Sequence, residues 1–184
     1  VREHGPYKIR SSETIYTDDF IEMRVDEVVK PDGSEGRYAT ARMKPGVAVL
    51  AVDDEGRAHL VKLFRYAVGK ECVEAVQGMI DEGESAAEAA RRELREELGV
   101  EAEEWTDLGL VDAITSQAVS TSRLFLARRL TFGEADRESA ERMKPLKVEF
   151  EEAVRMALDG RVTQATSAVL ILKASRHLEQ YRER

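Results

Sequence analysis

Cysteine is almost missing from this chain: Cys72 stands alone among 184 residues. One thiol cannot close an internal disulfide and cannot by itself build a structural zinc site, so Cys72 reads as a small buried hydrophobe. Long apolar runs are lacking too. No window approaches the roughly 18 consecutive apolar residues of a membrane-spanning helix, and no basic-then-apolar stretch reads as a leader, so a cytoplasmic protein without a membrane partner is expected. Positive charge is in short supply, with 28 Lys and Arg against 36 Asp and Glu, a formal charge of -8. Such a surface repels a phosphate backbone, which argues against a nucleic-acid partner unless a local basic patch compensates. Internal repeats and low-complexity linkers are also absent.

What remains is a sequence with 42% hydrophobic residues, enough for one domain with an appendage. From Thr14 to Lys44 the residues alternate as strands do, with Ile21, Met23 and Val25 on one face and Glu22, Arg24 and Asp26 on the other. The turn chemistry of "KPDGSEG" interrupts this alternation and "RYATARM" resumes it, which predicts an antiparallel hairpin. "GVAVLAVD" and "AHLVKLFRY" read as core strands around the turn "DDEG", and "ECVEAVQG" as another short strand. "WTDLGLVDAI" and "STSRLFLARRL" are further strand candidates on either side of a polar loop at Ser116–Ser122. "GEADRESAERMK" reads as a charged loop. Two helices follow, "EFEEAVRMALDG" and roughly "TQATSAVLILKASRHLEQYRER", the second opening on polar cap candidates. Strands and helices interleave without regular alternation, so a mixed sheet flanked by helices, an α+β fold, is expected.

The most informative stretch is "GMIDEGESAAEAARRELREELGV", Gly78 to Val100. Ser85 followed by Glu88 forms a capping box and Gly99 supplies the stop, which predicts a helix of about 13 residues. Ala87, Ala90, Leu94 and Leu98 form its apolar stripe. Ala89, Glu93 and Glu97 form a neighbouring stripe rotated by about 100°, with Glu96 at its border. Glu93 and Glu97 stack at i and i+4, where like charges cost about a few tenths of a kcal/mol. A hard divalent cation would compensate, since magnesium and manganese take oxygen ligands. On composition alone, an ordinary solvated face with Arg91, Arg92 and Arg95 as surface partners is the commoner case.

The spacing separates these alternatives. Gly78, Glu84, Arg92, Glu93, Leu94, Glu96, Glu97, Gly99 and Val100 resemble, position for position, the Nudix hydrolase signature Gly-x5-Glu-x7-Arg-Glu-U-x-Glu-Glu-x-Gly-U, where U is aliphatic. At roughly 7% per residue type, its seven invariant letters coincide by chance about once in 10^8 windows. The resemblance implies a Nudix-type α/β/α sandwich with a mixed sheet and an N-terminal antiparallel β-hairpin. It further implies a loop–helix–loop whose glutamates hold Mg2+ or Mn2+ against a diphosphate. Glu93 and Glu97 would then be the principal metal ligands, with Glu96 beside them and the backbone carbonyl of Gln77 added. Arg92 would orient the glutamates.

The whole chain is similar to the ADP-ribose pyrophosphatase branch, which hydrolyses nucleoside diphosphate sugars. On that pattern residues 1–44 are a dimerisation region and 45–184 the catalytic domain of a homodimer. Arg65 and Glu74 are substrate-binding candidates, and Glu141, with Glu138 second, is the candidate general base. Phe64, Tyr66 and Tyr38 are candidates for stacking on adenine, with core or interface packing as the more ordinary role. Two positions depart from the branch: Gln77 stands where alanine is usual, and "SQAVSTS", Ser116 to Ser122, lacks the glycine and glutamate expected there. The loop leaves other substrates open, among them dinucleotides, flavin or nicotinamide dinucleotides and coenzyme A. A catalytically silent Nudix-like binding module is the remaining alternative.

Overall fold

Period-two alternation in the first 45 residues becomes a run of antiparallel strands. These are β1 (Arg2–His4), β2 (Tyr7–Thr17), β3 (Ile21–Val29) and β4 (Glu35–Met43), each paired with the next. The β3–β4 turn forms where its residue types predict. Lys30 N donates to Ser34 O at 2.8 Å, the Asp32 carboxylate accepts from Ser34 N at 2.9 Å, and Gly33 takes φ 83°. The expected hairpin is thus part of a longer meander. Strand β2 was only partly legible because ten of its eleven residues are half-buried or exposed, with Ile9 alone buried, so little apolar alternation marks it.

The chain continues through β5 (Gly46–Val52), β6 (Arg57–Arg65), a single 3-10 turn (Tyr66–Val68), β7 (Lys70–Glu74), β8 (Val76–Met79) and α1 (Ala86–Leu98). Then come β9 (Val100–Asp112), β10 (Ala118–Val119), β11 (Thr121–Phe132), β12 (Lys144–Glu149), α2 (Phe150–Leu158) and α3 (Ala165–Arg182). The computed structural model describes residues 1–135 and 143–182. Two compact units result, residues 1–45 with 112–121 and residues 46–111 with 122–184. In the first, β10 adds to β4 in parallel and completes a five-stranded sheet.

The second unit is built on a seven-stranded mixed sheet. Its central strands are apolar on both faces because helices cover both. On β5, Ala48, Leu50 and Val52 join one cluster with Phe150 and Met156 of α2 and Leu170 and Ile171 of α3. Val47, Val49 and Ala51 join another with Ala89, Ala90 and Leu94 of α1. β11 divides in the same way, with Leu124 and Leu126 on the first side and Phe125 and Ala127 on the second. This is the mixed-sheet α+β architecture expected from the sequence, and Cys72 is buried as expected.

Three elements differ from expectation. β5 and β6 pair only at Ala51–His59 and Val52–Ala58 before they diverge. The "ECVEAVQG" segment fills the gap as two strands, β7 on β6 and β8 on β5, broken at Ala75. Strand β12 lies between the charged loop and the first C-terminal helix, where the sequence reading places no element. It is short, carries only Leu146 and Val148 as inward alternation, and contains Pro145, which the outermost position of β12 in the sheet tolerates. β9 also starts earlier than read, directly after Gly99.

The α1 helix begins and ends as read. Ser85 and Glu88 make both bonds of the capping box, and Gly99 at φ 66° caps the C-terminus through its N–H to Arg95 O at 2.8 Å. A Cβ on Gly99 would also meet Gly133 O at 2.6 Å and Ala135 N at 2.7 Å. Gly99→Ala is therefore expected to lower the unfolding free energy by about 2 kcal/mol or more, read by urea denaturation. A loss under about 0.5 kcal/mol would show that the junction tolerates a side chain.

Candidate active site

The site grows from the way α1 lies on the sheet. Ala89, Ala90 and Leu94 are fully buried, while Ala87 and Leu98 are partly so. Ala89, read as the start of the acidic stripe, thus belongs to the apolar face, and that face is wider than expected. Glu93 borders it, which leaves its side chain only 14% exposed.

Arg92 organises the carboxylates. Its Nε donates to Glu84 Oε1 at 3.0 Å and its Nη2 to Glu84 Oε2 at 2.9 Å. Nη2 also donates to the Met79 carbonyl at 2.9 Å, and Nη1 donates to Glu93 Oε1 at 2.7 Å and Glu96 Oε2 at 3.2 Å. A guanidinium carries five N–H groups in a rigid fork, and five oxygen acceptors meet them here. The loop before α1, strand β8 and the helix are joined at one residue.

Glycine makes room for this arrangement. A Cβ on Gly78 would fall on the Glu93 carboxylate, and a Cβ on Gly46, one strand over, would meet Gly78 O at 2.8 Å. Gly78 thus lets the Glu93 carboxylate lie directly on the backbone, and Gly46 leaves room for the Gly78 carbonyl.

Glu84 and Glu93, both bound to Arg92, shift in opposite directions. Hydrogen bonds from Arg92 hold the Glu84 carboxyl below its ordinary value, against a smaller opposing effect of burial. At Glu93 burial is the larger effect and pushes the pKa up, although Arg92 pulls it down. The Arg92 guanidinium is itself held protonated more firmly than usual, chiefly by Glu84.

Glu97 lies one turn after Glu93, and its Oε2 is shut off from solvent. Among the described residues no three His, Cys, Asp or Glu side chains stand together as a ready cation cage. Arg92 lies among Glu84, Glu93 and Glu96 instead. The donor chemistry nonetheless fits a hard divalent cation: Glu93, Glu96 and Glu97 are oxygen donors on one helix, and Glu93 faces a strand that Gly78 keeps bare.

Arg65 and Glu74 are brought together. Arg65 Nη2 donates to Glu74 Oε2 at 2.7 Å and Arg65 Nε to Oε1 at 3.1 Å, with Glu74 1% exposed. Gln77 sits beside Gly78 on β8, and its side chain turns to Glu74, Ser167 and Gln164. Ser167 and Gln164 escaped the sequence reading, where "TQATS" was visible only as a helix cap. Phe64 and Tyr66 are 59% and 94% exposed, which excludes packing in the core and leaves interface packing or stacking on adenine as their expected roles. Tyr38, in the first unit, is also exposed, edge-on to Tyr7 at 5.4 Å. Glu138 and Glu141 lie outside the described residues.

A mixed sheet between helices, with an arginine-gripped acidic helix at a glycine-cleared strand end, defines a class of hydrolase. Residues 42–165 match the NUDIX domain and residues 7–40 the nucleoside diphosphate sugar hydrolase N-terminal domain. The chain belongs to the Nudix hydrolase family, whose members are generally divalent-metal dependent. It is 31% identical over 166 residues to the ADP-ribose pyrophosphatase of Bacillus subtilis (strain 168), covering 89% of this chain and 90% of that one. It is 31% identical over 174 residues to the ADP-ribose pyrophosphatase of Mycobacterium tuberculosis (strain ATCC 25618 / H37Rv), covering 92% and 83%. A crystal structure of an ADP compounds hydrolase superposes with a TM-score of 0.82 over 98% of both chains at 21% identity, a likeness of fold.

The Glu84 shift carries a pH signature. Its carboxyl is lowered from an ordinary 4.5 in the folded state, so the unfolded chain binds the proton first as pH falls. The stability it contributes is present above about pH 4.5 and is lost as pH drops through the lowered folded value. Glu84→Gln is expected to flatten that acid-side slope in chemical denaturation, and an unchanged slope would show that the Arg92 pair contributes nothing to it.

Proposed function

We propose that this chain is a pyrophosphohydrolase that cleaves the diphosphate linkage of a nucleoside diphosphate derivative, ADP-ribose or a related nucleoside diphosphate sugar. The observation that carries the reading is the β8–α1 junction, where Arg92 binds Glu84, Glu93 and Glu96 and Gly78 leaves its backbone bare to Glu93. The likeness to two ADP-ribose pyrophosphatases over most of the chain supports the substrate class. So does the match of residues 7–40 to the nucleoside diphosphate sugar hydrolase N-terminal domain.

In this reading Glu93, Glu96 and Glu97, with the Gln77 carbonyl, hold magnesium or manganese. When bound, the ion neutralises phosphate oxygens and makes the attacking water easier to deprotonate. Arg92 holds Glu84, Glu93 and Glu96 in place. Arg65 donates to the diphosphate, with Glu74 behind it. Glu141, or Glu138 in its stead, takes the proton from the water, which attacks phosphorus in line with the leaving oxygen. Residues 1–44 serve dimerisation and 45–184 catalysis, in a cytoplasmic homodimer. The described helices include none long and apolar enough to cross a membrane.

The test is product analysis with ADP-ribose, other nucleoside diphosphate sugars, dinucleotides and triphosphates, in magnesium or manganese and in EDTA. AMP release from ADP-ribose, abolished by EDTA, is expected. Glu93→Gln should lower kcat by at least about a hundredfold while the thermal unfolding transition persists. Turnover of triphosphates alone, or a Glu93→Gln variant with near-normal activity, would overturn the reading. The "SQAVSTS" loop leaves open a second reading, a dinucleotide or coenzyme A, which turnover of that compound without ADP-ribose would select.

A further inference from the structure

A second polar network lies behind the site. Glu74 is 1% exposed, so both carboxylate oxygens depend on donors from the protein. Arg65 supplies one side of the carboxylate, at 3.1 Å and 2.7 Å. Gln77 supplies another donor, from Nε2 to Glu74 Oε2 at 3.0 Å. The same Nε2 donates to Ser167 Oγ at 3.2 Å, and Gln77 Oε1 accepts from Gln164 Nε2 at 3.1 Å. Gln164 Oε1 in turn accepts the Ser167 backbone N–H at 2.6 Å. Ser167 Oγ also takes the N–H of Ala75, the residue between β7 and β8, at 3.0 Å.

The direction of this chain of bonds follows from one charge. A carboxylate only accepts, so Gln77 must turn its NH2 toward Glu74. Its oxygen then needs a donor, which fixes the amide of Gln164, whose own oxygen is left facing Ser167 N–H. Each amide has one consistent orientation, set by Glu74 at one end and the first turn of α3 at the other. Arg65, whose side chain is 40% exposed, is the member of the network that reaches outward.

We propose that Gln77 is a positioning residue for substrate binding: its amide locks the Glu74 carboxylate against α3, and Glu74 thereby sets the direction of the Arg65 guanidinium. The assignment of Arg65 to the diphosphate substrate rests on the function proposed above. Without the inner donor, Glu74 keeps Arg65 but can rotate, and the direction that Glu74 gives the guanidinium is lost. The effect then falls on substrate affinity and leaves the chemical step alone.

The variants are Gln77→Met, which keeps the length of the side chain and cannot donate, and Gln77→Glu, which sets a second carboxylate against Glu74. With a turned-over nucleoside diphosphate sugar, Gln77→Met is expected to raise KM about tenfold and Gln77→Glu further, with kcat within about twofold. In an Arg65→Ala background the same changes should add nothing to KM, a non-additivity that general loosening of the fold would not produce. Unchanged KM, a loss confined to kcat, or additive effects would overturn the proposal. If the wild type turned over no diphosphate, the functional reading would fail, and hydrogen exchange at Arg65 Nε–H, followed by NMR without substrate, would decide the network alone. Exchange at least about tenfold faster in Gln77→Met supports it, and equal rates overturn it.

Discussion

Arg92 presents five N–H groups and finds five oxygens: two from Glu84, one each from Glu93 and Glu96, and the carbonyl of Met79. Much of the second unit is arranged to make that possible. Strand β8 must run beside the middle of α1, the loop between them must return Glu84 toward the helix, and Gly78 must present no side chain. A lysine could not replace the arginine, because a point charge with three donors cannot bind a bidentate Glu84 and two further acids in one plane. The arrangement also holds acidic groups close together, which without a central cation would repel one another.

This constraint explains the placement of the surrounding apolar residues. Ala89 and Ala90 are small, so α1 can approach the sheet closely, and Leu94 locks the depth at which it sits. At that depth Glu93 is drawn to the edge of the core, where burial raises its pKa. A longer residue at 89 or 90 would lift the helix and separate Arg92 from Met79. On the opposite face, α2 and α3 pack on Ala48, Leu50, Leu124 and Leu126. There the first turn of α3 is tied to β8 through Gln77 and Ser167. The same short strand is held by two helices from two sides.

Much of this could be read from the sequence because the informative signals are local. The limits of α1 follow from Ser85, Glu88 and Gly99, and the two-faced core strands follow from unbroken apolar runs at 47–52 and 124–127. The split of β7 from β8 was hidden, since it depends on β5 and β6 diverging, which no residue in "ECVEAVQG" reports. β12 was hidden by its charges and Pro145. The pairing of Arg65 with Glu74 joins residues nine positions apart on two strands. Each residue could be noticed singly, but their bond could not. Gln77 was visible as a departure from the family pattern, and its direction into the network with Ser167 and Gln164 was not.

In the proposed reading, the Glu93 carboxylate lying against the bare backbone of Gly78 makes this a cation site. Manganese binding measured by electron paramagnetic resonance, without substrate, on the wild type and on Gly78→Ala tests it directly, because that substitution alters neither a charge nor a donor. The account predicts a folded variant with manganese affinity weakened at least about tenfold, since the new methyl group occupies the place of the carboxylate. A folded Gly78→Ala protein that binds manganese as tightly as the wild type would contradict it.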